Sequence, residues 1–314
     1  MIKRRLALRL WLGLGLVCAA VPLQAATARA HPRACTGHGV ELQVLGSGGP
    51  ETGDRRASSS YLVWQDGRAQ VLLDSGGGSA LRFGQSGARV ATLDVILFSH
   101  LHIDHSADFP ALMKSAYFED RQQPLPVYGP AGNESFPATS EWLAALFDPR
   151  RGAYRYLGDF LNAENSGFKL EAHDVAPPAQ GIQPVFSGGG LELAAATMLH
   201  GNAPALAWRV RIGGKTLVFS GDTSGINGNL EMLAQHADLL LAHNAVPEGT
   251  GGTLLQLHMP PSVIGRIAAS ARVKSLVLSH RMLRTLGREA ETRQAIAAAY
   301  PGPVAFADDL DCFH

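Results

Sequence analysis

Cysteine is scarce in this 314-residue chain, at three. Cys18 lies in the opening segment, so Cys35 and Cys312 beyond it leave room for one disulfide at most. Charged residues are sparse as well, at 17%, while glycine is plentiful at 35. That combination excludes a disordered or coiled-coil chain and points to a compact α/β enzyme with many tight turns. There is no excess of positive charge, because 27 Lys and Arg balance 27 Asp and Glu. Five of the basic residues fall in residues 1–30, which carry no acid, leaving 22 against 27 beyond them. Nothing remains to grip a polyanion by bulk electrostatics, so the sequence predicts no nucleic acid polymer as partner. No apolar run approaches the roughly twenty residues that span a bilayer. The run Leu10–Val21 is about twelve residues long.

That run has a recognisable setting. Lys3, Arg4, Arg5 and Arg9 precede it or open it, and the small-residue stretch Ala25-Ala26-Thr27-Ala28-Arg29-Ala30 follows. This is the layout of a secretory signal peptide with an Ala-x-Ala cleavage site. The sequence therefore predicts a signal peptide at 1–30 and a single domain at 31–314. It also predicts a periplasmic or secreted location and no stable membrane insertion after cleavage. An uncleaved anchor is the alternative. In an oxidising compartment Cys35 and Cys312 read as a disulfide tying the chain ends, or else as two free thiols.

Beyond residue 40, strand and helix patterns alternate. Strand-like runs stand at 41–45, 60–64, 70–74, 93–98, 125–129, 191–198, 205–212, 215–220, 238–242, 274–279 and 304–307. Helical patterns stand at 79–86, 107–118, 140–147, 227–237, 261–271 and 290–300, with Pro110 tolerable in a first turn. Asp66-Gly67 and Gly213-Gly214 separate runs that pair as hairpins. Residues 148–190 show no clear order. Alternation with hairpins at both ends predicts a layered α/β fold of mixed sheets.

The most telling segment is Ser99-His100-Leu101-His102-Ile103-Asp104-His105, which sets four metal-ligand types in six positions after a buried strand. Imidazole is the commonest ligand for first-row metals. In extended backbone, alternate residues share a face, so His100 and His102 can converge on one ion. Asp104 and His105 are then free to face a second. Three more ligand types follow predicted strands: His200, Asp222 and His280. Ligands gather at strand carboxyl ends in layered α/β folds. Five His and two Asp suit two ions sharing a carboxylate.

On these residues the chain resembles the metallo-β-lactamase fold superfamily, whose His-x-His-x-Asp-His signature matches 100–105. Its downstream order His, Asp, His fits His200, Asp222 and His280. It looks closest to the RNase Z, arylsulfatase and periplasmic cyclic-nucleotide phosphodiesterase group. The segments 45–50, 58–63, 73–76, 205–209 and 219–223 carry that likeness. The resemblance implies a four-layer αββα sandwich of two mixed β-sheets with outer helices. It implies that His100, His102 and His200 hold one zinc, that Asp104, His105 and His280 hold another, and that Asp222 bridges them. Iron or manganese suits the same donors. Two departures stand out. Ser106-Ala107-Asp108 replaces the usual nearby glycine, and His243-Asn244-Ala245-Val246 stands where RNase Z has His-Glu-Ala-Thr. The carboxylate that orients a catalytic His is thus Asn244 here, and His258 occupies the place of that His. No glycine- and proline-rich basic arm for holding tRNA is present.

The predicted function is an exported dinuclear zinc hydrolase that uses a metal-bridging hydroxide on small phosphodiesters or sulfate esters. A bridging Asp222 favours ester over β-lactam chemistry. The alternatives are a lactonase- or thioesterase-like carbonyl hydrolase and a non-enzymatic metal-binding protein. Asp104 is expected to orient the nucleophile, and His258 and His243 to protonate the leaving group, unless one is a core residue. Asp74 reads either as a carboxylate supporting a ligand His or as a turn cap. The expected partner is a small-molecule ester, and a homodimer is compatible with the chain.

Overall fold

Antiparallel hairpins and two runs of parallel strands organise the molecule, which a computed structural model describes over residues 35–162 and 167–314. The predicted signal peptide at 1–30 lies outside the described residues. The first sheet contains β1 (Val40–Gly46), β2 (Ser60–Gln65), β3 (Arg68–Leu73), β4 (Val95–Leu97), β5 (Leu125–Pro130), β6 (Leu170–Val175) and the C-terminal β14 (Cys312–Phe313). Their order is β14-β1-β2-β3-β4-β5-β6. The second contains β7 (Gln183–Gly188), β8 (Leu191–His200), β9 (Ala203–Ile212), β10 (Lys215–Phe219), β11 (Leu239–His243), β12 (Ser275–Ser279) and β13 (Val304–Phe306). It runs β13-β12-β11-β10-β9-β8-β7.

Both sheets are mixed. In the first, β1, β2 and β3 are antiparallel and β3 to β6 parallel; in the second, β7 to β10 are antiparallel and β10 to β13 parallel. The hairpins form where the sequence predicts them. Asp66 and Gly67 both take positive φ, as do Gly213 and Gly214, which matches the twist of the strands they join.

The layers follow from which faces are apolar. Leu42, Tyr61, Val63, Leu73, Trp208, Phe219 and Leu241 fill the space between the sheets. Helices α1 (Ser79–Gln85), α3 (Phe109–Ala116) and α4 (Thr139–Phe147) cover the outer face of the first sheet through Phe83, Leu112, Met113, Leu143 and Phe147. Helices α6 (Asn229–Leu233), α7 (Pro261–Ser270) and α8 (Glu289–Ala297) cover the second through Leu230, Leu233, Ile264, Ile267 and Ile296. The result is the predicted αββα sandwich.

Three details differ from expectation. The helix predicted at 107–118 is α3, preceded by one separate turn, α2 (Ile103–Ser106), which carries Asp104 and His105. The helix predicted at 227–237 shortens to α6, entered from Gly228 at φ 73°. The unreadable stretch holds α5 (Asp159–Asn162), β6 and the largely exposed edge strand β7. Cys35 and Cys312 form a disulfide, anchoring the two-residue β14 against β1. Among the described residues, no helix is long and apolar enough to cross a membrane.

Candidate metal centre

Every side chain of the donor set is delivered by the end of a strand or the turn after it. His100 and His102 follow β4 in extended backbone, and α2 then swings Asp104 and His105 back toward them. Gly76 allows this close return, because a Cβ there would lie 2.1 Å from the Asp104 carbonyl oxygen. From the second sheet, His200 ends β8, Asp222 follows β10, and His280 follows β12. The two sheets are tied beside the site by Leu206 N donating to Ser99 O and Trp208 Nε1 donating to Phe98 O, each at 2.8–2.9 Å. The second-sheet donors are thereby fixed against the heptapeptide.

The donors converge in two groups. Ligand atoms of His100, His102 and His200 all lie within 4.8 Å of one another, as do those of His105, Asp222, His243 and His280. His100 Nε2 is 3.0 Å and His200 Nε2 3.3 Å from His102 Nδ1. Asp104 Oδ2 lies 3.2 Å from His280 Nε2 and 3.5 Å from His105 Nε2. Asp222 stands between the groups, its Oδ2 3.5 Å from His200 Nε2 and 3.8 Å from His105 Nε2. All seven predicted donors are brought together, and all but His102 are buried.

Outer contacts fix which ring nitrogen faces inward. His200 Nδ1 donates to Leu257 O at 2.9 Å, which leaves Nε2 as the lone-pair side. Asp74 resolves in favour of ligand support. Its Oδ2 accepts from His105 Nδ1 at 2.8 Å and from Ser99 Oγ at 2.7 Å, while Oδ1 accepts from Ser99 N. His105 Nε2 then faces the site with no hydrogen-bond partner in the protein.

Without a metal the electrostatics are lopsided. Burial and the neighbouring His105 hold the His100 ring neutral, well below its ordinary value. Burial also disfavours charge on His105, but Asp104 and Asp74 outweigh it and raise its pKa to about 9. Burial works against the Asp222 carboxylate, yet His280 and the His243 hydrogen bond keep it ionised. Imidazole lone pairs and buried carboxylates facing one small space, with His105 Nε2 left without a hydrogen bond, are a donor set that fits divalent cations.

Two expectations about histidines change. His243 has no nitrogen left for a leaving group: Nδ1 donates to Asp222 Oδ1 at 2.7 Å, and Nε2 lies 3.0 Å from the Tyr61 hydroxyl. It is buried, with a partner for each ring nitrogen. His258 does reach the site, with Nδ1 3.9 Å from Asp222 Oδ2. It makes no hydrogen bond to Asn244, whose Nδ2 donates to Val246 O at 3.3 Å. His258 Nδ1 and Asn244 Oδ1 are both buried without a protein partner. Tyr61 is the site residue that sequence reasoning missed. Its only signal was a polar ring in an otherwise apolar strand.

Fold and donor set define a metal-dependent hydrolase built on two sheets. The chain belongs to the beta-lactamase superfamily, whose domain matches residues 70–281. It is 29% identical over 291 residues to a Ribonuclease Z from Mycolicibacterium paratuberculosis, spanning 86% of this chain and 96% of that one. It is 30% identical to a Ribonuclease Z from Mycobacterium sp. strain KMS, spanning 86% and 94%. Among solved structures it superposes on the metallo-beta-lactamase fold protein YhfI from Bacillus subtilis with TM-score 0.68 and 23% identity, covering 88% of this chain and 99% of that one. Human tRNase Z, short form, gives TM-score 0.66 and 22% identity, covering 87% and 98%.

These relatives correct two expectations. Ribonucleases act on RNA, so a nucleic acid polymer is not excluded as a partner. The charge argument fails because net charge averages the whole surface, whereas a phosphodiester is gripped by groups at one site. The expected periplasmic or secreted location is overturned as well, by the likeness to Ribonuclease Z over 86% of the chain.

Proposed function

We propose that the protein is a dinuclear metal-dependent phosphodiesterase. His100, His102 and His200 would hold one divalent ion, Asp104, His105 and His280 a second, and Asp222 would bridge them. The observation that carries this reading is Asp222 Oδ2, placed between the two donor groups with imidazole nitrogens of both within 4 Å. The imidazole-rich set favours zinc. When bound, two such ions supply Lewis acidity toward a phosphoryl oxygen and acidify water at neutral pH.

The chain's own residues do the rest. Asp74 and the Leu257 carbonyl hold His105 and His200 in the orientation that faces the centre. Asp104, whose ionised form is favoured by His105 and His280 although burial opposes it, is an acceptor for a proton of the attacking water. His258 is the proton donor for the leaving oxygen. Burial lowers its pKa to about 4, and an anionic diester beside it favours its charged form as Asp222 already does. Phosphodiesters of RNA, which the relatives' name brings into view, and small diesters share this chemistry.

Metal analysis of the native protein should give two ions per chain, and chelation should abolish hydrolysis of bis-p-nitrophenyl phosphate and of an RNA oligonucleotide. Turnover of p-nitrophenyl sulfate or a lactone with neither phosphodiester cleaved would overturn the reading. His258→Ala should lower kcat about 100-fold with metal content unchanged. Loss of metal instead would make His258 a ligand.

A further inference from the structure

Asp222 has two oxygens, and the fold treats them differently. Oδ2 faces the imidazoles of both donor groups. Oδ1 accepts the 2.7 Å hydrogen bond from His243 Nδ1 and lies 3.4 Å from His280 Nε2. The far side of that ring is held as well, since Nε2 lies 3.0 Å from the Tyr61 hydroxyl, itself 3.2 Å from Ser279 Oγ. Tyr61 is fully buried and comes from β2 in the first sheet. His243 and Ser279 are register partners on β11 and β12 of the second. The His243 backbone is pinned too, its N–H donating to Ser220 Oγ at 3.1 Å.

From this geometry we infer that Tyr61 and His243 are positioning residues: a cross-sheet brace fixes the angle of the Asp222 carboxylate that the two ions would share. The inference rests on the dinuclear reading above. Hydrogen-bond chemistry orders the brace. A carboxylate only accepts, so Nδ1 of His243 carries the proton. Nε2 of the neutral ring then offers a lone pair, and the adjacent phenol is the group that can fill it. Without the phenol that nitrogen is buried and unsatisfied, and the ring has no reason to keep its angle. The Asp222 carboxylate would then lose the contact that sets its angle, and the site would hold its second ion less tightly.

The test compares wild type with Tyr61→Phe, His243→Leu and His243→Asn, each loaded with cobalt(II). Asparagine places an amide N–H near the position of Nδ1 but has nothing at Nε2. The wild type should take up two ions. Tyr61→Phe and His243→Leu should bind the second ion 10–100-fold more weakly and shift the visible cobalt bands. His243→Asn, which keeps a donor to Asp222 but loses the link to Tyr61, should fall between wild type and His243→Leu. Tyr61→Phe removes one hydroxyl from a packed ring, so it decides the matter even if His243→Leu fails to fold. Wild-type affinity and an unchanged spectrum in Tyr61→Phe would overturn the brace, as would a His243→Asn no better than His243→Leu. Uptake of fewer than two ions by the wild type would instead sink the dinuclear reading, before any substitution is made.

Discussion

Two buried carboxylates sit at opposite ends of the sandwich and are held by opposite means. Glu41, near the start of β1, is 1% exposed and accepts from Thr36 N, Thr36 Oγ1 and Gly37 N at 2.6–2.9 Å. His314 Nδ1 lies 3.0 Å from the same group, and the Cys35–Cys312 disulfide closes the end beside it. Asp222, beyond the far end of β10, is as buried at 3% but has one hydrogen bond, from His243. Its other oxygen faces imidazoles without a donated proton. Backbone and hydroxyl donors saturate Glu41, so its charge is spent on holding the chain ends. Asp222 is left half satisfied, and a buried carboxylate in that state is an invitation to a cation. One end is built for stability, the other for chemistry.

The sharpest way to break the comparison is at Asp222. Asp222→Ala should remove the shared ligand, drop metal content below two ions per chain and lower phosphodiester turnover by 10³-fold or more. Cysteine reactivity at the other end should not change. Metal analysis and bis-p-nitrophenyl phosphate kinetics on the same sample check both halves. A variant with two ions and full turnover would remove Asp222 from the centre.

The mirror experiment is Cys35→Ser with Cys312→Ser. The bridge spans a sequence separation of 277 residues, so its loss should cost about 2–5 kcal/mol of unfolding free energy. Denaturant titration measures that cost. Metal content and kcat should stay at wild-type values, because no residue of the stapled end touches the donor set. Lost metal with an intact fold would show that the two ends are coupled.

What was legible in the sequence follows the same division. The heptapeptide is local, and four ligand types in six residues announce themselves whatever the fold. His200, Asp222 and His280 were legible because each ends an apolar run that can only be a strand. His243 also ends such a run, yet whether it faces a substrate or the core was left open there, since two ring nitrogens engaged on opposite sides are a fact of packing. Tyr61 and Asn244 show the limit more clearly. A hydroxyl that crosses between sheets and an amide that turns to its own backbone leave no periodic trace. The stretch 148–190 was opaque for another reason: its elements are short and β7 is an exposed edge with little apolar pattern. β14 exists because a disulfide and β1 hold it, and two residues carry no signal.

A finer distinction is that in metal-free protein the donor set holds groups shifted in both directions, His105 up and Asp104 and Asp222 down, whereas Glu41 at the other end is shifted only down. His105 has its pKa raised to about 9: burial opposes its charge, and Asp104 and Asp74 more than compensate. A raised value means that the folded state holds the proton more tightly, so this contribution is full below about pH 6.5 and is lost as pH rises through about 9. Glu41 runs the other way. Burial pushes its pKa up, but Thr36 and Gly37 donors outweigh it and bring the pKa below the ordinary 4.5. Its contribution is present above that value and is lost as pH falls through the lowered one. Thermal melts of the chelated protein should therefore weaken on both flanks, by about 3 kcal/mol on the alkaline side. Asp74→Asn should reduce the alkaline flank, of which Asp104 sustains the rest, while Glu41→Gln should cost about 1–2 kcal/mol near neutrality and remove only its own share of the acid flank, to which Asp104 and Asp222 also contribute. Reloading with metal should flatten the alkaline flank as well, because a coordinated His105 must be neutral and its proton leaves on binding. An alkaline flank unchanged by both Asp74→Asn and metal would place its origin outside the centre.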